Sequence, residues 1–209
     1  MLTTQQDNLY RKYVNCVIPR CQDTSIGVGR IYNFDDGIPF QSRLDETVYR
    51  IMAALPQHKK PVVLCSMQKD SLTVLDIVRR VNKNVDAFFF YHHLPPEFAE
   101  FQEEFKKLRT YAEQKNVAVI NTDTDDRNQW IKKLVNEGYD LIMGGFYPAE
   151  TTAEFREIML KRGPYYFSSL FSVWFLDIIH SFSVKNVLDY LECYIPDAVK
   201  VNRPMKCVF

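Results

Sequence analysis

From Pro61 onward, the sequence alternates short, largely apolar runs with longer segments of helical periodicity. The runs lie at 62–65, 85–91, 117–120 and 139–143. Continuous apolar runs of this length are typical of strands buried on both faces, and strands that alternate with helices build parallel sheets. This pattern predicts an α/β fold in which a parallel sheet of about five strands carries helices on both faces, as in Rossmann-like folds.

Helices are predicted both between the strands and after the last of them. The segments between strands have apolar residues at helical spacing, which places helices at 71–81, 95–115 and 123–137. The remainder of the chain is also predicted to be helical, at 151–161, 170–179 and 183–193.

The chain divides into two unequal parts near residue 58. Residues 1–58 contain short apolar runs among glycines and prolines, which predicts an irregular N-terminal extension with a small hairpin and a helix at about 44–55. Residues 59–209 carry the alternating pattern and are predicted to form one α/β domain. A length of 209 residues fits one such domain with an appendage.

Composition limits the class of partner. Lys and Arg total 26 and Asp and Glu total 26, so the formal net charge is zero. Binding to nucleic acid or to an anionic membrane needs a basic excess, so this balance argues against both and favours a small-molecule substrate. The most apolar stretch, 170–179, is about half as long as a membrane span and contains Asp177. A polar N-terminus and five scattered cysteines without a C-x-x-C pair predict a cytoplasmic protein with reduced thiols.

The most informative segment for chemistry is the loop that follows the first strand. Ligands of open parallel sheets bind where strands end, and here the residues Ser66-Met67-Gln68-Lys69-Asp70-Ser71 lie between a strand and a helix start. A helix N-terminus presents unpaired N–H groups and a positive dipole, to which this loop adds hydroxyls and an ammonium group. The combination suits phosphate or pyrophosphate. It is not a Walker A loop, because no G-x-x-x-x-G-K-[ST] occurs.

The S-x-x-K-D-S pattern resembles the S-G-G-K-D-S loop of the PP-loop ATP pyrophosphatase superfamily, the adenine nucleotide α-hydrolase-like proteins of HUP fold. Members include phosphoadenylyl-sulfate reductase and 7-cyano-7-deazaguanine synthase. The resemblance extends from about Pro61 to the C-terminus, and the fourth strand ends in Gly144-Gly145, where members commonly have a glycine. By this resemblance residues 59–209 would be a nucleotide-binding domain that uses ATP and Mg²⁺.

The resemblance also implies roles for individual residues. Ser66, Lys69 and Ser71 would contact the β- and γ-phosphates, and Asp70 would order the loop and assist Mg²⁺. Lys69 and Asp70 would be the catalytic residues, with Asp70 the metal ligand. The other cofactor-binding residues would lie beside the phosphates and the adenine, namely Met67, Gln68, Phe90, Tyr91, Gly144 and Gly145.

One departure concerns the two loop glycines, which are Met67 and Gln68 here. Glycine permits positive φ and a close approach of the backbone to phosphate. The replacement is expected to narrow the phosphate cradle, to alter which nucleotide binds, or to mark a chain that keeps the fold and has lost hydrolysis. The adjacent Gly144 and Gly145 predict a close backbone approach or unusual dihedrals after the fourth strand.

The function implied is adenylation of a small-molecule or nucleobase-type substrate at a carbonyl or carboxylate oxygen. Pyrophosphate would leave, and amide or thio transfer would follow. Two alternatives remain open. One is an adenylyl-sulfate reductase or transferase, for which Cys207 would be the nucleophile although the E-C-G context of that family is missing. The other is a catalytically silent nucleotide-binding or assembly protein of the same fold.

Several other segments have simpler interpretations. His92 and His93 are interpreted as loop residues beside an adenine or substrate cleft. The Asp and Thr residues at 121–126 are interpreted as helix caps, and a role in holding Mg²⁺ on the pyrophosphate remains an alternative. Glu150 and Arg156 are candidates for handling a polar substrate. The aromatic stretch at 165–175 is predicted to be core or a homodimer contact.

Overall fold

A computed structural model describes residues 38–92, 99–122, 126–150 and 153–201. The described helices are α1 (Phe40–Ala54), α2 (Lys69–Val81), α3 (Ala99–Gln114), α4 (Arg127–Asn136), α5 (Ala153–Arg162), α6 (Val184–Tyr194) and α7 (Pro196–Val201). The described strands are β1 (Pro61–Leu64), β2 (Asp86–His92), β3 (Ala118–Thr122), β4 (Leu141–Gly144), β5 (Tyr165–Ser168) and β6 (Val173–Asp177). Short 3-10 turns occur at Leu55–Gln57 and Pro148–Glu150.

The six strands form one sheet in the order β3-β2-β1-β4-β6-β5. All neighbouring strands run parallel except β5, which is antiparallel to β6. Val63 in β1 lies beside Ala87 in β2 and Met143 in β4. Successive strands are added on one side of β1 as far as β3, and β4 then joins on the other side. The carboxyl ends of β1 and β4 therefore flank the point where ligands bind in open α/β sheets.

Both faces of the sheet carry helices, as predicted. One hydrophobic cluster joins α1, α2 and α6 to the sheet and includes Leu44, Val63 and Tyr190. A smaller cluster on the other face includes Phe90 and Leu134. The helix expected near 44–55 is α1, which begins at Phe40 and packs into the main core. The hairpin expected in the extension falls outside the described residues.

The predicted helix over 170–179 is wrong. Residues 165–177 form the β5–β6 hairpin instead, so the sheet has six strands rather than about five. A short apolar run does not distinguish a buried strand from a buried helix, and the aromatic and β-branched residues of Val173–Asp177 favour a strand. The turn between the strands places Ser172 at a φ of 54°.

The aromatic residues of this hairpin are only partly core. Tyr166 and Phe175 stack on the face of the smaller cluster, with ring centroids 5.4 Å apart. Phe167 on β5 remains 52% exposed, and Trp174 on β6 is 36% exposed. The contact between two copies of the chain that was predicted for this stretch stays a prediction.

Two further expectations concern cysteines and membranes. Among the described helices, none combines the length and the apolar character needed to cross a membrane. Cys193 is disulfide-bonded, so the prediction of reduced thiols is wrong for this residue. Cys65 is a buried free thiol. Cys207, the candidate nucleophile, also lies outside the described residues.

Candidate functional site

Two loops meet at the carboxyl ends of β1 and β4. We call residues 65–68 the β1 loop and residues 145–147 the β4 loop. The β1 loop leads into the first turn of α2, so its residues lie beside the unpaired N–H groups of that helix. The predicted phosphate-binding segment thus follows the carboxyl end of β1, as the sequence analysis expected, and the strand order puts that end at the switch point of the sheet.

The β1 loop contains a left-handed residue that is not glycine. Met67 has a φ of 61°, a conformation that costs an L-residue about 1–2 kcal/mol. Its side chain is fully buried, and the Cys65 thiol donates to its thioether sulfur across 3.4 Å. Ser66 and Gln68 on either side are exposed. The methionine side chain therefore packs into the core and does not occupy the exposed face of the loop.

Ser71 ties the loop to the start of α2. Its hydroxyl oxygen accepts a hydrogen bond from the Gln68 backbone N–H at 3.2 Å and lies 3.0 Å from the Gln68 carbonyl oxygen. The Ser66 hydroxyl lies 3.1 Å from the Ser71 hydroxyl oxygen. Because Ser71 is buried and its hydroxyl serves the loop itself, Ser66 is the better placed of the two serines for a ligand.

Lys69 and Asp70 form an ion pair at the mouth of the site. The Lys69 ammonium donates to the two Asp70 carboxylate oxygens at 2.8 and 3.0 Å. It also donates to the Tyr147 hydroxyl of the β4 loop at 3.2 Å. Sequence reasoning missed Tyr147, since a single tyrosine after a glycine pair matches no motif. It lies in the loop that follows a parallel strand, where ligands bind, and that position is the signal that points to it.

Gly145 allows the β4 loop to lie against the start of α2. A Cβ at this position would come within 3.2 Å of the Asp70 carbonyl carbon and 3.3 Å of the Asp70 Cβ. At Gly144, a Cβ would meet only the Phe146 ring at 3.8 Å, an ordinary contact. The close approach predicted for the glycine pair therefore applies to Gly145, and Gly144 does not require it.

These two glycines provide a matched pair of variants. Gly145→Ala is expected to lower the free energy of unfolding by about 1–3 kcal/mol, because the added methyl group crowds the backbone of Asp70. In a domain of this size that corresponds to roughly 2–4 °C in Tm per kcal/mol. Gly144→Ala is expected to leave Tm unchanged or slightly higher. Thermal unfolding of both variants checks this, and equal losses would contradict the role of the close approach.

Phe90 and Tyr91 lie next to each other on β2 and face opposite sides of the sheet. Phe90 stacks on Trp130 with ring centroids 4.9 Å apart, in the smaller cluster. Tyr91 packs edge-on to Phe89 in the main cluster. Both side chains are buried core residues.

A second charged cluster lies one strand further along the same edge. Asp177 pairs with Gly144 across β6 and β4, and its carboxylate accepts from Arg162 Nη2 at 2.7 Å. Burial raises the pKa of Asp177 to about 7, while Arg162 and Arg127 act in the opposite direction. The Arg127 guanidinium lies 4.1 Å from the ring centroid of Phe146 in the β4 loop. The sequence analysis did not identify this cluster.

The remaining candidates are explained by local structure or are not described. Arg156 donates from Nε to the Pro148 carbonyl at 2.9 Å and so holds the turn after β4. Asp126 caps α4 by accepting from the Asn128 N–H at 2.8 Å, which confirms the predicted capping. The side chains of His92, His93 and Glu150 and the residues 123–125 fall outside the described part of the chain.

We next consider which of the described side chains at the carboxyl end of the sheet suit a metal ion. Within the described ranges, no group of three or more His, Cys, Asp or Glu side chains could hold an ion. Asp70 is a single carboxylate beside the candidate phosphate site. Mg²⁺ is commonly held by one or two carboxylates together with substrate phosphates, so Asp70 suits Mg²⁺ that arrives with a nucleotide.

Comparison with known proteins identifies the fold. No family model matches the sequence, and no curated protein matches it. Candida glabrata FMN adenylyltransferase in complex with ATP aligns with a TM-score of 0.53 at 11% identity, over 90% of this chain and 63% of that chain. The same enzyme with FMN and the ATP analog AMPCPP aligns at 0.52 and 13% identity, over 88% and 62%. Yeast FAD synthetase in complex with FAD aligns at 0.53 and 8% identity, over 91% and 68%.

These likenesses confirm the predicted α/β fold. The chain spans about three fifths of the length of the Candida structures. At identities of 8–13%, the alignment carries no residue assignments.

Proposed function

We propose that this chain binds ATP over the β1 loop and transfers the adenylyl group to an oxygen of a small-molecule acceptor, releasing pyrophosphate. The observation that carries the proposal is the Lys69 ammonium at the first turn of α2, directly beside a left-handed loop at the switch point of the sheet. The structural neighbours include a complex with ATP and a complex with FAD and inorganic pyrophosphate, which supports the proposal.

In the proposed reaction, the acceptor oxygen attacks the α-phosphorus of ATP. A bond forms between that oxygen and the phosphorus, and the bond from the phosphorus to the bridging oxygen breaks. The electron pair leaves with pyrophosphate. Lys69 and the N–H groups of the first turn of α2 stabilise the charge that develops on the leaving group. The chain contributes in-line positioning and charge stabilisation.

Magnesium, when bound, would neutralise the phosphates, and Asp70 is the residue placed to hold it. Asp70 now accepts from Lys69 through both of its oxygens. Binding of a nucleotide would exchange that pair, so that the ammonium contacts phosphate and the carboxylate becomes free. Ser66 is exposed on the same loop and supplies a further hydroxyl.

The two alternative functions, a reductase and a silent nucleotide-binding protein, differ in how the described residues bear on them. A reductase acting on adenylyl sulfate would need Cys207, and no described residue favours it. A silent nucleotide-binding protein was suggested by the missing loop glycines. Met67 nevertheless adopts the positive φ that a glycine would supply, and its side chain is buried. The replacement is therefore compatible with an open loop, and the enzyme is the better-supported proposal.

Calorimetric titration with ATP and Mg²⁺ tests the phosphate site. Lys69→Ala is expected to bind ATP about 10- to 100-fold more weakly than the parent, since a hydrogen bond to a charged group is lost. Lys83→Ala is the matched control, because Lys83 is exposed in the turn before β2, at the opposite edge of the sheet. Equal affinities of the parent and Lys69→Ala would overturn the assignment of the site.

Pyrophosphate release separates the enzyme from the silent binder. The parent is expected to release labelled pyrophosphate from ATP in the presence of at least one acceptor from a panel of small-molecule phosphates, carboxylates and amides. Binding of ATP without release across the panel would favour the silent binder. Lys69→Ala serves as the background for nonenzymatic release.

A further inference from the structure

We propose that Tyr147 is a positioning residue that holds the Lys69 ammonium where the phosphates of a nucleotide would bind, an inference that rests on the proposed function. The Tyr147 hydroxyl oxygen lies 3.2 Å from Lys69 Nζ, and the centroid of its ring lies 5.6 Å from the same atom. The two residues come from different strand ends, 78 positions apart in the chain. Their contact joins the β1 and β4 sides of the site.

Asp70 and Tyr147, which both accept hydrogen bonds from Lys69, differ in charge and in rigidity. Asp70 is the adjacent residue on the same helix turn, and its side chain is about as exposed as that of Lys69, at 23% and 26%. Tyr147 is buried, so its phenol has a fixed place. Lysine has a flexible four-carbon stem that needs an external partner to define the position of its charge. The phenol therefore defines that position better than Asp70 does.

A neutral partner also leaves the charge of the ammonium available. Asp70 neutralises Lys69 while the two are paired, whereas the phenol oxygen accepts a hydrogen bond without cancelling the positive charge. When phosphate takes the place of Asp70, the bond to Tyr147 persists. The tyrosine thus orients the lysine in the bound state, and Asp70 occupies the ammonium in its absence.

The backbone sets the distance between the two loops. Gly145, two residues before Tyr147, lies against Asp70 so closely that a Cβ would crowd the Asp70 backbone. Because strand β4 and helix α2 are fixed at this contact, the phenol oxygen and the ammonium are held within hydrogen-bonding reach. Phe146 lies between Gly145 and Tyr147 in the chain. The Arg127 guanidinium packs over its ring, and this contact anchors the other side of the β4 loop.

A double-mutant cycle tests the inference. Tyr147→Phe keeps the buried ring, and it is expected to weaken ATP binding about 3- to 10-fold through the loss of one hydrogen bond. In the Lys69→Ala background the same change is expected to have almost no effect, because the group that Tyr147 positions is gone. Equal losses in both backgrounds would overturn the inference and show that Tyr147 acts independently of Lys69.

A second measurement does not require nucleotide binding. Hydrogen-bonded protons exchange slowly with water, and NMR of the lysine ammonium groups reports their exchange. The Lys69 ammonium protons are expected to exchange several-fold faster in Tyr147→Phe than in the parent, with Lys83 as the unchanged control. Unchanged exchange at Lys69 overturns the inference. If exchange is faster in Tyr147→Phe but the parent binds no ATP, the proposed function is overturned while the contact between Tyr147 and Lys69 stands.

Discussion

Replacing Met67 with alanine is expected to lower the free energy of unfolding by about 2–5 kcal/mol. Met67 is among the largest fully buried side chains of the chain and belongs to the main hydrophobic cluster. Truncation removes its buried methylene groups and leaves a cavity, while the positive φ of the backbone persists. Urea denaturation monitored by circular dichroism measures the loss. A single domain has a total stability of only about 5–15 kcal/mol, so this change removes a large part of it.

The glycine variant at the same position tests the strain directly. In an ordinary strand or helix, glycine is less stable than alanine by about 0.5–1 kcal/mol. At Met67 the order is expected to reverse, since glycine adopts a φ of 61° without the 1–2 kcal/mol that alanine incurs, by rough estimate. Met143 is the matched control, because it is also fully buried and lies in the regular strand β4. The same ranking of Ala and Gly at both positions would contradict a strained loop at Met67.

The result bears on how the loop tolerates the absence of glycine. A buried side chain at Met67 stabilises the loop while the backbone stores a small strain, so the left-handed turn is kept by packing instead of by conformational freedom. Restoring glycine relieves the strain but also removes the packed side chain. Met67→Gly is therefore expected to be less stable than the parent, although its backbone geometry matches the S-G-G-K-D-S pattern.

The stability of the parent is expected to fall relative to Asp177→Asn as the pH rises from about 4 to 7. Burial raises the pKa of Asp177 from 3.8 to about 7 in the folded protein. Between those values the folded state retains a proton that the unfolded state has lost, so raising the pH favours unfolding. The shift of about 3 pH units corresponds to about 4 kcal/mol, fully present below pH 4 and lost above pH 7.

Urea denaturation of both proteins at several pH values between 4 and 8 measures this difference. Arg162 and Arg127 face Asp177 and lower its pKa, in opposition to burial. Asp140→Asn is the control. Burial acts on Asp140 as well, but hydrogen bonds from the N–H groups of Lys59 and Lys60 outweigh it and lower its pKa. Its difference from the parent is expected to stay constant above pH 5. Parallel curves for the parent and Asp177→Asn would contradict the prediction.

The sequence predicted the central strands and the position of the loop for a common reason. Strands buried on both faces need continuous apolar runs, and each of the four runs found in the sequence became a strand of the sheet. The run at 170–179 has the same character, yet it became the strand β6 where a helix was expected. Hydrophobicity reports burial there, and the pairing with β4 decides which element forms.

In the candidate site, too, the sequence predicted some features of single residues and did not predict others. S-x-x-K-D-S indicated that Lys69 and Asp70 lie at a helix N-terminus, because that follows from the local order of strand, loop and helix. It did not indicate that Ser71 is used within the loop, that Phe90 and Tyr91 are core residues, or that Tyr147 contacts Lys69. The contacts of Phe90 and Tyr147 depend on residues far away in the chain. Those of Ser71 lie within the loop and depend on its exact backbone conformation.

By itself, the sequence therefore determined the α/β class, the order of the central elements and the loop at which a phosphate would bind. These follow from local patterns of burial and from the chemistry of adjacent side chains. Only the tertiary structure decided that β4 lies beside β1, that Gly145 approaches Asp70, and that a buried methionine keeps the loop left-handed. The physical reason is that these contacts join residues distant in sequence, and packing in three dimensions, which no local pattern encodes, selects them.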